Sequence, residues 1–174
     1  MTAPFLRLAP VVAFLTAISS IPTAIAQCTL NGAANPCSLA GPVTVTSGYT
    51  ASLGTTTSVS GVITNNNNIQ VIAGSGSNTN LNFIANTTLQ GSGGTLTLNS
   101  GNNNGQVFLE SGSGSTLTNV TNTIEGYGVV GNGGLSVTNS AGGILLANVS
   151  GQTLLLNGAG SLTNSGTLMA RPCR

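Results

Sequence analysis

Histidine, tryptophan, lysine and aspartate are all missing from this chain, and its charged residues come to three arginines and two glutamates. Glu110 and Glu125 are the only side-chain carboxylates, and no cation lies between Arg7 and Arg171. General acid–base catalysis, metal capture, phosphate clamping and nucleic-acid binding all draw on the residues that are scarce here. The composition therefore predicts a protein that is not an enzyme, holds no cofactor or metal and binds no nucleic acid. Aromatic residues make up only 3%. What remains is Gly, Asn, Thr and Ser, with Leu, Val and Ile spaced regularly among them.

Those recurring aliphatics argue for a folded chain, because a polar sequence without them cannot bury enough apolar surface to offset chain entropy. Gly, Asn, Thr and Ser are weak helix formers, whereas β-branched residues suit a pleated surface. The class is all-β.

Residues 1–26 differ from the rest. Arg7 precedes an apolar run from Val11 to Ile18, Pro22 breaks it, and Ala24-Ile25-Ala26 has the small-x-small form of a cleavage site, with cleavage between Ala26 and Gln27. This predicts a signal peptide and export. The apolar run is shorter than the roughly 20 residues a membrane span needs, so the mature chain is expected to have no span. Arg171 and Arg174 then balance Glu110 and Glu125, and a neutral chain lacks the self-repulsion that opposes self-association.

Three cysteines follow. Cys28 and Cys37 bracket a short Gly/Asn/Pro loop and are expected to form a disulfide in an exported protein, stabilising it by about 2–3 kcal/mol. Cys173 is left over in an off-pattern tail, residues 171–174.

Apolar alternations recur at Leu96 and Leu98, Val107 and Leu109, Leu135 and Val137, Ile144 and Leu146, and Leu154 and Leu156, each with the period of a strand that buries one face. Gly- and Asn-rich turns separate them. Over this runs a longer period. Asn99, Asn119, Asn139 and Asn164 each close a short stretch such as Leu117-Thr118-Asn119, at nearly even intervals along the chain. Coils of about 20 residues with aligned turn asparagines predict a right-handed parallel β-helix, a β-solenoid. The alternative is an antiparallel β-sandwich, which the Asn-Gly pairs at Asn104, Asn132 and Asn157 would serve as hairpin turns. The expected organisation is an N-terminal cap over 27–61, carrying the Cys28–Cys37 loop and edge strands at 43–46 and 55–57, then solenoid repeats over 62–170. The stack would be on the order of 25–30 Å long.

The stretch from Thr123-Ile124-Glu125-Gly126-Tyr127-Gly128 to Asn139, with Ser161-Leu162-Thr163-Asn164-Ser165-Gly166-Thr167-Leu168, resembles the repetitive passenger regions of bacterial autotransporters and filamentous-haemagglutinin-like surface adhesins. The resemblance covers residues 85 to 170. It implies a secreted β-helix at the outer surface, acting in adhesion or as a stalk, with a host glycan or protein surface, or a second copy, as partner. It carries over no catalytic residue. A complete autotransporter also bears a C-terminal membrane barrel with aromatic girdles, so this chain reads as a truncated or degenerate passenger fragment, a short secreted relative, or a piece of something larger.

Two other functions are open to these residues. Glu110 and Glu125 are the only carboxylate pair for a carbohydrate-active β-helix enzyme, but they stand closer in sequence than one coil repeat, so they should not stack. Thr44 and Thr46, Thr55 and Thr57, and Thr95 and Thr97 would have to share one face, in register, to form an ice-binding array. Asn65 to Asn68 and Asn102 to Asn104 read as turn stacks or asparagine ladders, and Asn86, Asn119 and Asn148 open glycosylation sequons.

Overall fold

The computed structural model describes residues 28–101, 105–158 and 160–171. Ala26, Gln27 and the signal segment, Asn102 to Asn104, and Cys173 lie outside them. Among the described residues there are strands and turns but no helix, and the chain is a parallel β-solenoid.

A short antiparallel hairpin comes first, formed by β1 (Cys28–Leu30) and β2 (Ala33–Asn35). Six stacked layers follow. The first contains β3 (Ser38–Ala40), β4 (Val43–Val45) and β5 (Tyr49–Ala51). In the second and third, one long strand spans two faces: β6 (Thr56–Asn65) is followed by β7 (Asn68–Ile72), and β8 (Thr79–Gln90) by β9 (Thr95–Asn99). The fourth runs through β10 (Val107–Glu110), β11 (Thr116–Asn119) and the first half of β12 (Thr123–Asn132). The second half of β12 begins the fifth, with β13 (Ser136–Asn139) and β14 (Ile144–Ala147). Last come β15 (Leu154–Leu156), β16 (Leu162–Asn164) and β17 (Thr167–Ala170).

Parallel pairing sorts these strands into three faces. The first face stacks β3, β6, β8, β10, β12 and β15. The second stacks β4, the C-terminal halves of β6 and β8, then β11, β13 and β16. The third stacks β5, β7, β9, the N-terminal half of β12, β14 and β17, with β1 antiparallel to β5 at its start. The hairpins of the sandwich alternative are absent among the described strands, apart from β1 and β2.

The repeat expected from sequence holds where Val43 meets Ile63 and where Thr116 meets Ser136. Elsewhere the coil is longer, and the step from Thr87 to Leu117 is half as long again. Extra residues are absorbed at corners rather than in strands. Between Val59–Phe83 and Gly61–Thr87 the pairing shifts, and Ile84 to Asn86 are left exposed at that corner.

Inward positions form apolar columns. Leu39, Val59 and Phe83 stack on the first face, and Leu96, Ile124 and Leu145 on the third. This corrects one expectation. In β14 the residue that joins the column is Leu145 rather than Ile144, because pairing with Leu96 and Ile124 sets which residue of an apolar triplet enters the core, and Leu146 beside it is buried as well.

A second column inside the corner between the second and third faces is polar. Asn119 Nδ2 donates to Asn139 Oδ1 at 2.9 Å, Asn139 Nδ2 to Asn164 Oδ1 at 2.8 Å, and Asn65 Nδ2 to Asn122 Oδ1 at 2.8 Å. Each amide also holds its own turn or the next one: Asn119 Nδ2 donates to Asn122 O, Asn139 Nδ2 to Gly143 O and Asn65 Nδ2 to Thr95 O. Asn65, Asn119, Asn122 and Asn139 are fully buried, and leaving such an amide unpaired costs about 1–3 kcal/mol; the ladder pairs the Nδ2 groups of Asn65, Asn119 and Asn139, and that of Asn122 has no partner among the described residues. The ladder also explains three glycines. A Cβ on Gly94, Gly143 or Gly166 would lie 2.7 Å from the amide nitrogen of Asn65, Asn119 or Asn139 respectively, so the space a side chain would need is filled by the asparagine below. Asn99 belongs elsewhere. It ends β9 on the third face, paired with Tyr127, and the residue that stacks under Asn119 is Leu89.

The two ends of the stack differ. At the N-terminal end the Asn31 side chain accepts from Thr46 N and Ser47 N and donates to Thr44 O, and the Cys28–Cys37 disulfide fastens the hairpin. Tyr49 is buried there, with its hydroxyl 2.7 Å from Thr57 Oγ1. At the C-terminal end Leu162 and Leu168 pair with the buried Val137 and Leu145, yet they are 37% and 49% exposed. The sixth layer therefore has its core side uncovered among the described residues.

This contrast predicts different costs for the same truncation. Leu135→Ala removes a fully buried side chain and is expected to cost about 2–5 kcal/mol, whereas Leu168→Ala should cost no more than about 1 kcal/mol. Urea unfolding of both variants measures the difference, and equal midpoints would contradict the layering. Burial raises the Tyr49 hydroxyl from 10.0 to about 12, partly opposed by the Thr57 hydrogen bond. The fold thus favours the protonated phenol, and that contribution is complete below pH 10 and lost as the pH rises toward 12. Urea midpoints measured on either side of pH 10 should differ more in the native chain than in Tyr49→Phe.

Candidate functional site

Glu110 and Glu125 occupy the same layer but different faces. Glu110 ends β10 on the first face, where its Oε2 accepts from Asn132 Nδ2 at 3.0 Å. Glu125 stands within β12 on the third face, not at a strand end, and accepts from Asn148 Nδ2 at 3.0 Å and from Thr97 Oγ1 at 3.4 Å. The two carboxylates are not brought together, and each is bonded to neutral groups from neighbouring coils. Among the described residues no three His, Cys, Asp or Glu side chains cluster as metal ligands would.

The polar groups that do converge surround Tyr127. Gly126 and Gly128 flank it at φ 104° and φ 151°, backbone angles that other residues resist, and they let β12 turn from the third face to the first. The backbone of β9 lies so close that a Cβ on Gly126 would collide with the Leu98 carbonyl oxygen. Tyr127 is thereby held at the outer corner, half-buried, with its hydroxyl donating to Asn99 Oδ1 at 2.9 Å. On one side of the ring lies a shallow depression of about 440 Å³, lined by Thr97, Asn99, Glu125, Asn148 and Val149. On the other lies one of about 400 Å³, lined by Ser100, Gln106, Gln152 and Thr153. One aromatic ring beside two depressions that mix amides and hydroxyls with Val129, Val149 and Leu155, with a single carboxylate, can hydrogen-bond and stack against a neutral polar ligand. It offers no second ionisable side chain for acid–base work beyond the tyrosine itself.

Sequence reasoning missed this grouping. Tyr127 stands within the repeat phrase without a role there, and the spacing of Asn99 points to the wrong column. The available signal is Gly126-Tyr127-Gly128, where glycines on both sides of an aromatic mark a corner.

The threonine pairs named from sequence do not share a surface. Thr57 is fully buried and Thr55 nearly so, and Thr95 and Thr97 on the third face both donate to Asn68 Oδ1, at 2.9 and 3.0 Å. Thr44 is exposed on the second face. Of the three sequons, Asn119 is fully buried in the ladder, and Asn86 and Asn148 lie nearer the surface.

No family model, curated protein or solved structure matches the chain.

Gly126→Ala should destabilise the chain by at least about 1 kcal/mol and displace Tyr127, since alanine resists this backbone angle and its methyl has no room. Urea unfolding and near-ultraviolet circular dichroism test this. Native values for both would contradict the tight approach of β12 to β9.

Proposed function

We propose that the chain is an exported, non-enzymatic β-solenoid that serves at the cell surface or outside the cell as a structural and adhesin-like element. The observation that carries the reading is a regular stack whose outer faces are almost free of charge and bear rows of amides and hydroxyls beside an apolar row of Phe108, Val129 and Leu155, fastened at its first end by the Cys28–Cys37 disulfide. Disulfides persist in oxidising compartments, which agrees with the export predicted from residues 1–26. The autotransporter-like repeat phrases favour display at a bacterial outer surface. Among the described residues no helix is long and apolar enough to cross a membrane.

Contact would be made through the outer faces, with the Tyr127 corner suited to a host glycan or protein surface. The sixth layer supports self-association as a second reading. Its apolar cup, lined by Leu145, Leu154, Leu156, Leu168 and Met169, lies at the end opposite the sealed one, so two copies would meet through their C-terminal ends. Such a tail-to-tail contact closes as a dimer and does not propagate.

Expression of the full chain in a bacterium with an oxidising periplasm tests the reading. Mass spectrometry is expected to find a mature chain beginning at Gln27 with Cys28 and Cys37 oxidised, and sedimentation to find a concentration-dependent dimer. A cytosolic chain with its N-terminus intact and its thiols free would refute export. A monomer at all concentrations would refute the dimer alone.

A further inference from the structure

On the second face, pairing places Thr88, Thr118, Thr138 and Thr163 in one outward column across four consecutive layers. Two residues earlier, Thr116 pairs with Ser136 in a second outward column, which Ser161 continues just before β16, whereas Asn86 stands in the corner insertion and lies outside it. The buried partners between them are Thr87, Leu117 and Val137, continued by Leu162 in the uncovered last layer. The motif is thus Thr-Leu-Thr, Ser-Val-Thr and Ser-Leu-Thr on successive coils, and no register shift interrupts this part of the face. Strand geometry spaces the side chains about 4.8 Å across the layers and about 6.7 Å along each strand.

Four properties set this face apart. It carries no charged residue and no aromatic residue. The hydroxyls of Thr88, Thr116, Thr118, Ser136, Thr138, Ser161 and Thr163 make no hydrogen bond among the described residues, whereas Thr95 and Thr97 on the third face are tied to Asn68. The β-branched threonines are stiff at χ1, so the array is ordered before it meets a ligand. Beneath its edge runs the Asn119–Asn139–Asn164 ladder, and side-chain ladders of that kind hold a sheet against its usual twist.

We infer that the second face is a binding site for a flat, periodic, uncharged lattice of hydroxyl groups, namely the ordered water of an ice surface. A free sugar calls for a concave site with aromatic stacking, which is what the Tyr127 corner offers and this face does not. A two-dimensional array of free hydroxyls and methyls at a fixed repeat instead matches a ligand with its own repeat, close to oxygen spacings in ice. The individual contacts are weak, and their number in register supplies the affinity. The site goes beyond the contact-surface reading given above and uses a different face and ligand, so the two stand or fall separately.

The test uses the full purified chain in freezing-point and ice-shaping measurements. The native chain is expected to shape growing ice crystals, separate freezing from melting temperature and partition into slowly growing ice. Thr118→Tyr and Thr138→Tyr place a ring in the middle of the array and should each lower the effect at least tenfold, with circular dichroism spectrum and melting unchanged because both positions face outward. Gln70→Tyr, on the third face, should retain native activity. If a tyrosine variant does not fold, Thr118→Val keeps the shape, removes one hydroxyl and should still weaken the effect. A folded native chain that leaves ice growth unaltered overturns the inference, as does native activity in both tyrosine variants. Retention on insoluble cellulose or chitin that Thr138→Tyr abolishes, without any effect on ice, also overturns it and assigns the face to a polysaccharide surface.

Discussion

Everything in this structure depends on the backbone hydrogen bonds between successive coils. They run along the stack axis and tie each residue to a counterpart one layer on, so whatever side chain the sequence places at a position is stacked on its neighbour at the strand spacing. Leucine stacked on isoleucine gives a core, asparagine on asparagine a ladder, and threonine on threonine a surface array. The coil length varies, shorter from Thr116 to Ser136 than from Thr87 to Leu117, because the bonds fix only the strands and insertions are expelled at the corners.

The asparagine ladder is where polar burial and backbone geometry are solved together. A coil that turns a corner leaves carbonyls pointing inward, and a buried carbonyl without a donor is costly. The amides of Asn65, Asn119 and Asn139 meet them, and the glycines Gly94, Gly143 and Gly166 on the next coil leave room for the amide beneath each of them. Asparagine in one coil and glycine in the next are therefore one device. The same device stiffens the edge of the second face, linking interior packing to the surface available for contact.

Among the described residues the solenoid is sealed at one end and uncovered at the other. The hairpin, its disulfide and the Asn31 side chain close the first layer, and nothing equivalent covers Leu162 and Leu168 among the described residues. The two carboxylates are likewise dispersed, each held by neutral groups on its own face.

Much of this was legible in the residues. Scarce charge and absent histidine, strand-period aliphatics and evenly recurring asparagines determine a stacked all-β chain, and Cys28 and Cys37 determine its disulfide, because composition and local periodicity act through short-range physics. Register is different. In Ile144-Leu145-Leu146 the alternation is ambiguous, and only pairing with Ile124 turns Leu145 inward. Asn99 has the same local sequence habit as Asn119 yet falls on another face, because insertions at the corners change the phase between them. The threonine pairs visible in sequence separate, while Thr88, Thr118, Thr138 and Thr163, unremarkable one by one, align. Which residues share a surface is fixed by hydrogen bonds between coils far apart in sequence and unequal in length, and the tertiary structure alone decides it.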